Sequence, residues 1–67
     1  MKTLLNKIDA LHEKIEMGFY LKAEAMFRLR ELRSEVCDKY EEGSDNFTTC
    51  LHYLIDAHET CVELYKL

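Results

Sequence analysis

The sequence predicts an all-α fold, on the strength of its turn-forming residues and its hydrophobic spacing. Its 67 residues include no proline and only two glycines, Gly18 and Gly43, whereas a β-sandwich or barrel needs a turn about every ten residues. Apolar residues recur at steps of three and four along most of the chain, which is the period of an amphipathic helix. We therefore expect one helical domain over residues 1–67, near the lower size limit for a self-sufficient core.

The clearest helix boundary lies in the segment YEEGSDNF. Gly43 suits the left-handed position after a helix end, and Ser44 or Asp45 can accept hydrogen bonds from the free N–H groups of the next helix. Helices on the two sides then form an antiparallel hairpin, whose second helix spans about residues 45–66. The seam of that helix is Phe47, Leu51, Leu54, His58, Cys61 and Tyr65.

The segment EMGFYLK leaves two possibilities for the first forty residues. A helix that begins after Gly18 would need Ser, Thr, Asp or Asn as its cap, and residues 16–21 contain none. A glycine inside a continuous helix costs only about 1 kcal/mol. This comparison favours one long helix over about residues 3–41, and the alternative is a bend at Gly18 that produces a three-helix bundle.

A long first helix would leave an apolar seam without a partner in the same chain. Leaving large aliphatic side chains in water costs roughly 1.5–3 kcal/mol each. The continuous helix therefore predicts a homodimer or a target that covers this self-association seam, which is Leu4, Ile8, Leu11 and Ile15.

The histidine and cysteines of the last helix raise the question of a metal or catalytic site. Cys50 and Cys61 lie about 16 Å apart along a helix, which is too far for one zinc ion to bind both. We expect His58 to face Leu29 in the core, and Cys61 to pack beside Met26 as a small apolar residue. We therefore predict no catalytic residue, no metal site and no cofactor. Cys37 and Cys50 lie level across the hairpin, and we expect free thiols.

The net charge of −4 is concentrated in the last third of the chain. Residues 44–67 contain four acidic residues against Lys66 alone, which argues against nonspecific binding to duplex DNA. At helical spacing these acids share one outer face with a histidine. We define this acidic strip as Asp45, His52, Asp56, Glu59 and Glu63, and we predict that it contacts a basic surface of a partner.

The middle helix carries a second charged feature of the opposite sign. Lys22, Arg30 and Arg33 share one flank of its apolar seam, and we define them as the basic stripe. Phe19 or Tyr20 beside it would be available to stack on bases. The basic stripe supports an alternative function, a dimeric hairpin that binds RNA or DNA.

These features together predict a protein that binds and does not catalyse. No known enzyme motif, glycine-rich phosphate loop or membrane-spanning apolar run occurs in the 67 residues. We expect a small cytoplasmic interaction protein that binds a larger protein and modulates it by inhibition. A regulator or a phage-type accessory protein that inhibits host defence fits this description.

Overall fold

The computed structural model describes residues 3–66, which contain three α-helices and no strand. Helix α1 spans Leu4–Glu16, α2 spans Lys22–Lys39 and α3 spans Asp45–Tyr65. Each helix packs against the other two, so the bundle has one shared core. The prediction of an all-α fold is confirmed. Within the described residues no helix is long and apolar enough to cross a membrane.

Helix α1 ends at Glu16, so the prediction of a continuous helix over residues 3–41 is wrong and the bend at Gly18 is right. Gly18 adopts a φ of +73° and its N–H donates to the carbonyl of Ile15 at 3.0 Å. The N–H of Phe19 donates to the carbonyl of Lys14, also at 3.0 Å. This pair of hydrogen bonds is the Schellman motif, which closes a helix through a left-handed glycine.

The missing cap of α2 was too small an effect to decide the fold. Leu21 occupies the N-cap position of α2 and its side chain caps no N–H group. A lost cap costs about 1 kcal/mol. Burying the four large side chains of the α1 seam is worth roughly 1.5–3 kcal/mol for each one. Folding back at Gly18 gains this burial within a single chain, because α2 and α3 cover the seam.

The core is built mainly from the seam of α1 and from small or branched residues of the other helices. Ile8, Ile15 and Val36 are completely buried. Ala25 and Ala57 are also completely buried, and their small side chains let the helices approach closely. The predicted self-association seam, all of it buried in this core, is thus covered by α2 and α3, and it supplies no reason for a dimer. A dimer through another surface stays a prediction.

The buried face of α3 differs from the predicted seam. The buried positions are Cys50, Leu54, Ala57 and Cys61, whereas His58 is exposed. The prediction that His58 lies in the core is therefore wrong, and the prediction that Cys61 is a core residue is confirmed. The reason is that α3 packs against α1 as well as α2. Its buried arc is centred between two neighbours, and this moves His58 to the edge.

The second turn lies where the sequence predicts it, but Gly43 does not close α2, which ends at Lys39 with Tyr40 as its extended C-cap. Gly43 lies instead in a separate turn, in which the N–H of Ser44 donates to the carbonyl of Glu41 at 3.1 Å. Gly43 has a φ of +87°, and the Ser44 hydroxyl accepts a hydrogen bond from the N–H of Phe47 at 3.2 Å.

Among residues 3–66, two side-chain hydrogen bonds connect segments that are distant in the sequence. Tyr65 donates from its hydroxyl to the carbonyl of Tyr20 at 2.6 Å, which holds the end of α3 against the first turn.

The other long-range hydrogen bond joins α1 to α3. His12 and Thr60 are 2.7 Å apart between Nε2 and Oγ1. The Thr60 hydroxyl donates to the carbonyl of Asp56, so it accepts from the imidazole N–H. This bond fixes the relative height of the two helices.

Candidate protein-binding groove

An open groove runs between α2 and α3 on one side of the bundle. It has a volume of about 410 Å³. Its floor and walls are mainly apolar, and they are formed by Met26, Leu29, Leu51, Leu54 and Ile55. Leu29 and His58 line the same groove, as the antiparallel register predicts. The Ile55 side chain in this groove is 54% exposed.

Two arginines stand along the α2 side of this groove. Arg30 and Arg33 both line it and both are exposed. Among residues 3–66, neither arginine has a carboxylate within ion-pair distance, whereas Arg28 on the same helix pairs with Glu24 at 3.4 Å. The groove therefore combines apolar surface with two cations that no described side chain neutralises.

The basic stripe is only partly assembled at this site. Its third member, Lys22, is exposed at the start of α2 and does not line the groove. The predicted stacking partner Tyr20 is half-buried, and its ring is covered by the Arg28 guanidinium at 5.1 Å from the ring centroid. Phe19 remains 66% exposed. The structure thus brings two of the three basic residues together beside apolar side chains.

The acidic strip forms one exposed face of α3. All five of its residues are exposed. Within the part of the chain that the structure describes, its four carboxylates make no ion pair. Glu59 lies one helical turn after Ile55, so the strip borders the outer edge of the groove. The strip and the groove are therefore neighbouring parts of one surface of α3.

Several other large apolar side chains are exposed, and the sequence analysis did not identify them. Met17 and Leu21, in the turn between α1 and α2, are 76% and 79% exposed. Phe27 is 58% exposed on the outer face of α2. The sequence did contain a signal for these positions, because they are apolar residues that lie outside the apolar seams of the helices. Exposed apolar side chains in a protein of this size are typical of contact surfaces when they are contiguous.

A second groove, between α1 and α2, has a different character. It has a volume of about 530 Å³ and is lined largely by charged and polar residues. Its cations already have partners within the chain. Lys7 pairs with Glu35 at 3.7 Å, and the Lys14 ammonium lies over the Phe19 ring at 5.5 Å from the centroid. This groove offers less apolar surface than the one between α2 and α3, and each of its cations already has a partner within the described residues.

The cysteines have the environment of packing residues. Burial raises the pKa of the Cys61 thiol, and burial also raises that of Cys50 against a smaller opposing effect of Lys39. A raised pKa lowers the fraction of nucleophilic thiolate. Cys37 is exposed and Cys50 is buried, and all three cysteines are free thiols. Over residues 3–66, no group of three or more His, Cys, Asp or Glu side chains is placed to hold a metal ion.

The groove is open to solvent, and its walls are formed by α2 and α3. Comparison of this chain with protein-family models, with curated proteins and with solved structures finds no match.

Proposed function

We propose that this chain is a non-enzymatic interaction protein that binds a larger protein through the groove between α2 and α3. The observation that carries the proposal is the groove itself, in which the exposed Ile55 side chain adjoins an apolar floor and two unpaired arginines. Apolar surface at the centre of a contact, with arginine at its edge, is the composition of protein–protein interfaces.

The proposed effect on the partner is modulation by inhibition. A chain of 67 residues that performs no chemistry acts on its target by occupying a surface of it. The acidic strip beside the groove contributes to this contact by attracting a basic region of the same partner. Such complementarity mainly increases the rate and the specificity of association. The proposal places the protein in the cytoplasm, where free thiols such as Cys37 persist.

The test is affinity capture with three forms of the protein, namely wild type, Ile55→Asp and Phe27→Asp. Both variants place a carboxylate at an exposed apolar position, but only Ile55 lines the groove. A partner that is retained by wild type and by Phe27→Asp, and lost with Ile55→Asp, is the expected result. Equal capture by all three forms would show that the groove is not the interface.

A second candidate function is supported by the two unpaired arginines. Arg30 and Arg33 would contact phosphates if the chain bound RNA or DNA, in a dimer or as a single bundle. The measurement is fluorescence anisotropy with mixed-sequence RNA and duplex DNA at low salt. Binding that falls steeply with salt and is lost in the double variant Arg30→Ala, Arg33→Ala would favour this candidate. The absence of any binding at low salt would eliminate it.

A further inference from the structure

We infer that the occupant of the α2–α3 groove is an amphipathic helix of the partner that carries carboxylates on the flank facing Arg30 and Arg33. This inference rests on the proposed function, because it names the chemistry of the segment that the same groove accepts. It follows from the shape of the groove, from its apolar lining and from the unpaired charge along one side.

The groove favours a helix over an extended peptide. Both of its walls are helices, whose backbone N–H and C=O groups are already hydrogen-bonded within each helix. An extended segment finds no sheet edge there to pair with, so its own backbone would lose hydrogen bonds to water without replacement. A helix satisfies its own backbone and presents only side chains. It is therefore the occupant that enters this groove at least cost.

The length of the lining sets the size of the contact. On α3 the lining runs from Leu51 to His58, which is about 10 Å along the helix axis. That distance corresponds to about two turns of an occupying helix, with two or three apolar side chains at helical spacing. Ile55 stands in the middle of this stretch, so its exposed side chain is placed at the centre of the contact.

The positive charge along the groove favours acidic residues on the flank of the partner's helix. Arg30 and Arg33 are one turn apart, so carboxylates one turn apart on an occupying helix can meet both. Arginine and carboxylate form two-pronged hydrogen bonds, which makes acidic side chains better partners here than neutral ones. The carboxylates of the acidic strip lie outside the lining, on the outer side of α3, and they pair with neither arginine.

The experiment uses helix-stabilised peptides of about 14 residues, since unsupported helices of this length are marginal in water. The peptides share one leucine stripe and carry Glu, Gln or Lys at two positions along one flank. Binding to the full chain is measured by fluorescence anisotropy and mapped by amide NMR shifts. We expect the Glu peptide to bind wild type about tenfold more tightly than the Gln peptide, from two solvent-exposed ion pairs.

Variants of the protein test where this preference arises. The double variant Arg30→Glu, Arg33→Glu should bind the Lys peptide more tightly than the Glu peptide, which reverses the preference of wild type. The variant Lys22→Glu is the matched control, because Lys22 is a cation of the same helix that does not line the groove. It should leave the preference for Glu unchanged. The preference should also shrink at about 1 M salt, where screening shortens to about 3 Å.

Each other outcome overturns the inference. Equal affinities for the Glu and Gln peptides, a preference that survives the arginine reversal, or no binding of any peptide at about 1 mM would refute the acidic helix as occupant. A chain that forms a dimer which Ile55→Asp dissociates would identify a second copy as the occupant. The two proposals fail separately. Loss of the natural partner with Ile55→Asp, without any charge preference among peptides, would leave the proposed function standing and remove only this inference.

Discussion

Replacing Gly18 by alanine distinguishes a bend from a continuous helix by the sign of the change in stability. Gly18 has a φ of +73°, and a Cβ built on it meets no atom within 4 Å. The cost of Gly18→Ala is therefore backbone strain alone, about 1–2 kcal/mol for an L-residue in the left-handed region. In a continuous helix the same substitution would be stabilising by about 1 kcal/mol, because alanine is the better helix former.

Gly43→Ala is the matched control. Gly43 has a φ of +87° and is equally free of neighbours, and it lies in the turn that both arrangements contain. We expect both variants to lose about 1–2 kcal/mol of unfolding free energy. A domain of this size has a total stability of roughly 3–10 kcal/mol, so the change is measurable. Each kcal/mol should lower the melting temperature by about 4–8 °C.

The assay is urea and thermal unfolding followed by circular dichroism, at two protein concentrations tenfold apart. In the three-helix bundle, both glycine variants should be destabilised at both concentrations. A Gly18→Ala protein that is more stable than wild type, while Gly43→Ala is less stable, would refute the bend. A midpoint that rises with protein concentration in Gly18→Ala alone would show that this substitution produces the long helix and a dimer.

Two further predictions concern the cysteines and His58. Burial raises the pKa of the Cys50 and Cys61 thiols, so they stay neutral to a higher pH in the folded state than in the unfolded state, where a thiol has a pKa of about 8.5. The stability of the fold is therefore unaffected well below pH 8.5 and decreases as the pH rises from there through the folded pKa values. The melting temperature should therefore fall as the pH rises above about 8.5. The slope should be unchanged in Cys37→Ser, and a fall that disappears in this variant would assign the effect to the exposed thiol. His58→Leu should change the unfolding free energy by less than about 0.5 kcal/mol, because the side chain is exposed at the edge of the groove. A chelator should leave the melting of wild type and His58→Leu unchanged, and a drop confined to wild type would reveal a metal ligand.

The features that could be predicted from the sequence are those that depend on a few adjacent residues. Ser44 begins α3 by accepting a hydrogen bond from the N–H of Phe47, three residues later, and Gly43 adopts its left-handed conformation in the turn just before it. The helical class follows from the spacing of apolar residues and from the scarcity of turn formers. The exposure of the acidic strip also follows from spacing, because these residues lie opposite the buried arc of α3.

The break at Gly18 could not be decided from the same kind of signal. Locally, the missing cap at Leu21 and the tolerable cost of a helical glycine both favour continuation. The larger energy comes from covering the α1 seam with α2 and α3, residues up to about fifty positions away in the chain. A local sequence pattern contains no information on whether other helices of the chain pack over the α1 seam.

The groove depends on the third helix in the same way. In a two-helix hairpin His58 would be a core residue, but the contact of α3 with α1 turns its buried arc toward Ala57 and leaves His58 and Ile55 at the surface. The spacing of apolar residues predicts that one side of α3 is buried. The number of neighbouring helices sets the direction of that side, because each helix buries the arc that lies between the axes of its neighbours. The apolar groove and the position of Arg30 and Arg33 along it are therefore products of packing among all three helices.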